Sequence, residues 1–214
     1  APLACMLLAD LGAEVVRVDR PGGNAVGFRA EPRFATMQRG KQLVELDLKD
    51  PQAVQTVLAM VDRADVLVEG FRPGVAERLG LGPAACRARN PRLVYGRVTG
   101  WGQDGPLAQV AGHDINYLAL SGALAAMGTR ERPAIPLNLV GDFGGGSMLL
   151  VFGLLAALFE RQRSGQGQVV DAAMVDGVAA LTTTFFGQLA AGSFQLQRES
   201  NLLDGAAPFY NVYA

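Results

Sequence analysis

The chain has 214 residues, half of them apolar and 18% charged, with a formal net charge of −1. That composition excludes a disordered chain and provides no charge excess for gripping nucleic acid or a membrane surface. The length suffices for one large or two small domains with a substantial core. Basic residues outnumber acidic ones over the first hundred positions and the balance then reverses, which is compatible with a phosphate-bearing ligand on the first half. Cys5 and Cys86 make neither a disulfide framework nor a CxxC pair, so a reducing compartment is expected.

Leu3, Leu7, Leu8 and Leu11 mark one face of a helix, with Gly12 as its stop. Residues 13–18 read as a short buried strand that ends in the turn 19–23, and 22–40 are polar and irregular. A second strand at 43–46 leads to Asp50, a helix cap, with Pro51 at the first helical position and Val54, Val57, Leu58 and Val61 facing inward. A third strand at 66–68, helices over 75–79 and 84–89 and a fourth strand at 93–98 follow. Alternating strands and helices at this spacing predict an α/β fold, a Rossmann-like parallel sheet with helical crossovers. Ligands of such sheets lie at the carboxyl ends of strands, which selects Arg20, Arg72 and the loop after Val98 as contacts.

Beyond residue 100 the Gly/Pro-rich loop 100–106 precedes a helix over 115–127, and a loop with Pro133 and Pro136 leads to Asp142. A long apolar helix then runs to about residue 163, a strand covers 169–173 and another helix 176–191. The longest apolar run, 148–159, has 12 residues, too few to span a bilayer and suited to a core helix. The chain opens without Met in a helical pattern and stops at 209–214 in what reads as the middle of a strand, so a piece of a longer protein is expected.

The sole histidine, His113, and Asp142 are the residues best suited to chemistry. Imidazole exchanges a proton near neutrality, its ordinary pKa being ~6.5, and a second base allows a proton to be moved on and off one carbon. Each precedes a predicted helix, whose unpaired N–H groups and dipole favour an anion, a carboxylate or a developing oxyanion. Gly144, Gly145 and Gly146 weaken the helix start by roughly 1 kcal/mol each, so a close approach to the backbone is expected there. A dinucleotide site is not expected, since no strand is read as leading into a GxGxxG run, and no P-loop, GxSxG elbow or HExxH occurs. Asp171 and Asp176 lack the neighbours of a metal site.

Several runs carry a resemblance: Gly112-His113-Asp114-Ile115-Asn116-Tyr117, the segment 136–146, Gly165-Gln166-Gly167-Gln168-Val169-Val170-Asp171-Ala172, the segment 16–22, and Asn201-Leu202-Leu203-Asp204-Gly205. They resemble the α-methylacyl-CoA racemase branch of the family III CoA-transferases (CaiB/BaiF superfamily), over nearly the whole chain. The resemblance implies the family III fold in incomplete form. Residues 1–190 would be the large Rossmann-like CoA-binding domain without its first strand, and 191–214 a linker and the start of a second, small domain. It implies an acid/base pair of His113 and Asp142 that inverts the 2-methyl stereocentre of a branched acyl-CoA by proton transfer through an enolate. It implies CoA or substrate contacts at Arg20, at Leu46, Asp47, Leu48 and Lys49, at Arg78, and at Gly112, Asp114, Ile115, Asn116 and Tyr117, beside the strand-end residue Arg72. A supporting family carboxylate would lie beyond residue 214. No cofactor is implied, since CoA belongs to the substrate, and the family's interlocked homodimer is the implied assembly. The compartment would be cytoplasmic in a bacterium and peroxisomal or mitochondrial in an animal. Two other activities stay open: CoA transfer with Asp142 as nucleophile, and a non-catalytic CoA-binding fragment.

Overall fold

A computed structural model describes residues 1–22 and 31–213. The expected irregular stretch 22–40, and the end of the turn before it, lie partly outside the described residues. Helix α1 (Pro2–Asp10) ends before Gly12, which adopts φ +99°. Strands β1 (Val15–Asp19) and β2 (Lys41–Glu45) pair in parallel, from Val15 opposite Lys41 to Asp19 opposite Glu45. Helix α2 (Pro51–Val61) starts as its sequence dictates, the Asp50 side chain accepting the Gln52 N–H at 2.9 Å with Pro51 inside the first turn. Such a cap contributes about 1 kcal/mol.

Strand β3 (Val66–Glu69), helices α3 (Val75–Arg78) and α4 (Pro83–Arg89), and strand β4 (Val94–Thr99) form a parallel crossover, Val66 lying opposite Val94. After the long helix α7 (Leu149–Ser164), strand β5 (Val169–Ala173) joins β4, so the described strands make two sheets, β1-β2 and β3-β4-β5. The single sheet of the sequence reading becomes two because hydrophobic runs mark strands and crossovers, not which strands exchange hydrogen bonds. The architecture is α/β with parallel pairing.

The chain divides into two compact units, one of residues 1–99 and 147–172, the other of 100–146 and 173–214. Residue 190, where a domain boundary was expected, falls inside the second unit. In the first unit Val57, Leu58 and Val61 of α2 bury against Leu81, Cys86, Leu93 and Tyr95. The Tyr95 hydroxyl donates to the Leu81 carbonyl at 2.8 Å, as a buried phenol requires. All six residues of β4 are buried, including Arg97. Arg97 Nε donates to Glu69, its register partner on β3, at 2.7 Å, and Nη1 reaches Glu77 at 2.7 Å. The other Glu69 oxygen accepts the Phe71 N–H at 2.7 Å, so the buried carboxylate is fully partnered. The half-exposed Glu77 carboxyl is held below its ordinary pKa chiefly by the Arg97 hydrogen bonds.

In the second unit the expected helix 115–127 is two helices, α5 (Asp114–Leu120) and α6 (Ala123–Ala126), separated by Gly122 at φ +82°. The expected helix 176–191 is likewise two, α8 (Met174–Leu181) and α9 (Thr183–Ala190). They meet at Thr182, whose hydroxyl bonds back to the carbonyls of Val178 and Ala179 at 2.9 and 3.1 Å and bends the path. Tyr117, Leu118, Ala123 and Val178 form the core of this unit. The strand expected at 209–214 is a set of turns as far as residue 213. Tyr210 N–H donates to Ala207 and the Asn211 amide to Gly205 at 2.7 Å. Aromatic and β-branched residues favour a strand only beside a neighbour, and no described strand pairs here.

The long apolar helix begins at Leu139, three residues before Asp142, with a π-helical segment, Leu139–Met148, that runs on into α7. Together they make 26 residues, long and apolar enough to cross a membrane by length and composition, so the 12-residue apolar run understated the helix. Leu150, Leu154 and Ala157 are buried, as in a core helix, while Met148, Phe152, Leu155 and Phe159 form an exposed stripe at four-, three- and four-residue intervals.

The Arg97 network sets a first prediction. Arg97→Met strands a buried carboxylate and is expected to cost about 3–5 kcal/mol in urea unfolding, whereas Arg97→Met with Glu69→Leu costs much less. Equal losses in the single and double variants would contradict this account.

Candidate active site

His113 ends the loop that follows β4 and occupies the N-cap position of α5, with extended backbone (φ −130°, ψ 168°). Its N–H donates to Asn116 Oδ1 at 2.9 Å and its carbonyl accepts the Asn116 N–H at 2.8 Å, closing the first turn. The imidazole is exposed. Beneath the loop Trp101 and Tyr117 pack edge to face with centroids 4.8 Å apart, and the Trp101 indole donates to the Val110 carbonyl at 3.2 Å. A Cβ on Gly112 would stand 2.8 Å from the Tyr117 ring and 2.9 Å from Trp101. The glycine before the histidine is therefore a packing requirement of this aromatic pair.

Asp142 is half-buried in the first turn of the π-helical segment rather than at its cap. Burial pushes its carboxyl above the ordinary value of 3.8, and the nearby Asp114 charge adds to that. The Asn138 amide, 3.4 Å from Oδ2, and the His113 charge act the other way. Leu137, beside Asn138, holds φ +57°, a strained conformation for that residue type. Tyr117 is raised too, first by burial and then by the Asp142 and Asp114 charges. These four groups thus share one electrostatic environment.

Asp114 joins the two halves of the site. Its buried carboxylate accepts the N–H of Gly141 at 2.6 Å and of Asp142 at 2.8 Å, both on Oδ2. Those were N–H groups expected to be open to a developing oxyanion, and Asp114 occupies them instead. The N–H groups of Asp114 and Ile115, at the start of α5 beside His113, meet no acceptor among the described residues. The glycine run also has a structural explanation. A Cβ on Gly145 would lie 2.9 Å from the Met174 carbonyl oxygen and from Val178 N, and one on Gly177 would overlap the Gly145 carbonyl. The backbone that approaches Gly145 is helix α8.

The other candidates lie in the first unit. Arg20 follows β1 and Arg72 follows β3, both exposed. Leu46 and Leu48 pack against the α2 core, between them Asp47 accepts the Lys49 N–H at 3.0 Å, and Arg78 ends α3 exposed. Gly112, Asp114, Ile115, Asn116 and Tyr117 belong with His113 and Asp142 in the second unit. Gly100, Gly102 and Gly105 follow β4 at the GxGxxG spacing, which corrects the expectation that no strand leads into such a run. A dinucleotide fingerprint needs a helix opening at its last glycine, and residues 106–113 are turns and coil. Among the described residues no cluster of His, Cys, Asp and Glu could hold a metal ion.

Comparison with known proteins places these features. A model of CoA-transferase family III matches residues 1–214. An alpha-methylacyl-CoA racemase of Mus musculus is 49% identical over 99% of this chain and 54% of its own length, and that of Homo sapiens 46% identical over the same shares. A probable fatty acyl-CoA transferase of Mycobacterium tuberculosis is 42% identical over 84% of this chain and 48% of its own. The crystal structure of a CAIB/BAIF family protein from Brucella suis superposes with a TM-score of 0.80 at 29% identity, covering 89% of this chain and 54% of that one. The chain spans about half the length of the curated relatives it matches.

The helix crossing sets a second prediction. Gly177→Ala is expected to destabilise by about 1–3 kcal/mol through overpacking. Gly187→Ala, on α9 with open space around it, is expected to gain roughly 0.5–1 kcal/mol. Calorimetric melting of both variants checks it; equal melting shifts would contradict the close approach.

Proposed function

We propose, from the fact that this chain belongs to CoA-transferase family III, that its activity is racemisation at the α-carbon of 2-methyl-branched acyl-CoA thioesters. The observation that carries the proposal is the coupling of His113 to Asp142 through Asp114, which directly follows His113 in the chain and whose carboxylate holds the Asp142 turn. Relatives named alpha-methylacyl-CoA racemase, at 46% and 49% identity over 99% of the chain, support the same reading.

In this mechanism one side chain removes the α-proton, a planar thioester enolate forms, and the other returns a proton to the opposite face. The thioester acidifies the α-proton, and a positioned acid or base contributes roughly 10²–10⁴-fold. A carboxylate raised by burial is a stronger base than a solvated one, which suits Asp142 to the task. The N–H of Asp114 or Ile115 is the donor we assign to the enolate oxygen in place of those near Asp142. CoA carries its own chemistry as part of the substrate, and no further cofactor enters. For Arg20, Arg72, Arg78 and residues 46–49 we keep the CoA-binding role as a proposal. For the assembly we propose a homodimer, supported by the exposed apolar stripe on α7.

The M. tuberculosis relative, named a probable fatty acyl-CoA transferase, favours a second reading in which Asp142 attacks the thioester carbonyl, the C–S bond breaks with release of the CoA thiolate, and a covalent aspartyl anhydride forms. Two experiments separate the readings. His113→Ala and Asp142→Ala in the full-length protein should each slow exchange of the α-proton with deuterated water by at least about 10²-fold. Undiminished exchange in both variants, or hydroxylamine trapping at Asp142 that depends on an acceptor acid, contradicts racemisation. Because Asp142 acts as a base only when ionised and its carboxyl is raised, the acid limb of the rate profile should lie above the ordinary carboxylate range. A limb at or below 3.8 would contradict its assignment.

A further inference from the structure

The Asp114 carboxylate is the least expected feature of the second unit. It is 5% exposed and lies in the first turn of α5, one residue from His113. Oδ2 accepts two N–H groups from a segment 27 and 28 residues away, while Oδ1 is buried without a hydrogen-bond partner among the described residues. A buried anion that leaves one oxygen unpartnered is costly, and replacing it by a smaller neutral group would leave two N–H donors unmet instead. Gly141 is shaped to this contact, since a Cβ there would stand 2.8 Å from Oδ2. The carboxylate therefore does what a helix-capping Asp does, but from another helix: it fixes the first turn of the π-helical segment, and Asp142 with it, against the N-terminus of α5.

We infer that Asp114 is a positioning residue, its side chain holding the Asp142 carboxylate in register with His113 and taking no part in substrate contact. This rests on the reading of His113 and Asp142 as the proton-transfer pair. The side-chain role goes beyond the CoA-lining role that resemblance implies for this residue, and is compatible with a ligand meeting its backbone N–H. The negative charge faces Asp142 together with His113 and Tyr117, so its removal changes Asp142 in a way that mere loss of packing does not.

The test is Asp114→Asn in the full-length protein, which preserves shape and one acceptor oxygen but removes the charge. The expected result is a fall in kcat of about 10²-fold with an unchanged KM for the acyl-CoA. The Asp142 carboxyl, followed by 13C NMR, should titrate at lower pH than in the parent. An increase in KM with kcat unchanged would mean that the side chain binds substrate and would overturn the inference, as would an unshifted Asp142 titration. The NMR titration needs no catalysis, so it can fail or succeed separately from the racemase reading, which the His113 and Asp142 variants test. Should the Asn variant not fold, the parent protein decides. The amide protons of Gly141 and Asp142, both bonded to the Asp114 carboxylate, should be slow to exchange; rapid exchange at both would overturn the assignment.

Discussion

One carboxylate organises the candidate site of this chain. Asp114 Oδ2 accepts two backbone N–H groups from the turn that carries Asp142, and its own backbone continues directly from His113. Charge-assisted bonds to a buried anion are roughly twice as strong as neutral ones. They replace solvent as the partner of the first turn of a helix whose N–H groups would otherwise be unmet. The consequences reach both residues of the proposed proton-transfer pair. The Asp142 carboxyl is raised by burial with Asp114 adding to it, and the loop before His113 is held by the Trp101–Tyr117 pair under Gly112.

The surrounding fold makes that junction rigid. Gly145 and Gly177 let the π-helical segment and α8 meet backbone to backbone, so the segment bearing Asp142 is fixed on one side by α8 and on the other by Asp114. In the first unit the all-buried strand β4 carries its own ionic anchor, Arg97 with Glu69 and Glu77. Both anchors share one logic: a charge is buried where several donors or acceptors converge on it, and removing one partner leaves the rest exposed to a low dielectric.

Much of this was legible in the sequence. Apolar runs located all five strands of the described residues to within a few positions, and Asp50-Pro51 marked a helix start that its hydrogen bond bears out. The Gly-His-Asp-Ile-Asn-Tyr run and the Asp142 run pointed to family III, to which the chain belongs. What pattern could not supply was tertiary. The breaks at Gly122 and Thr182 depend on a left-handed glycine and on a hydroxyl that bonds backward, and periodicity runs through both. The aromatic end of the chain read as a strand because propensity does not know whether a neighbour exists. The glycine run was correctly read as a close approach, but only the structure identifies α8 as what approaches. Asp114 was visible only as part of a motif; that its carboxylate spans to Gly141 and Asp142 has no sequence signal, because the contact closes over 27 intervening positions.

The most direct test of the central claim, that a proton is removed and returned at one carbon, follows the fate of that proton. The full-length protein is supplied with a single epimer of a 2-methylacyl-CoA in deuterated water, and the opposite epimer is isolated at low conversion. The account predicts deuterium at the α-carbon of that product. Product epimer that retains the original α-hydrogen, or CoA passed to an acceptor acid with configuration and α-hydrogen both intact, would contradict it.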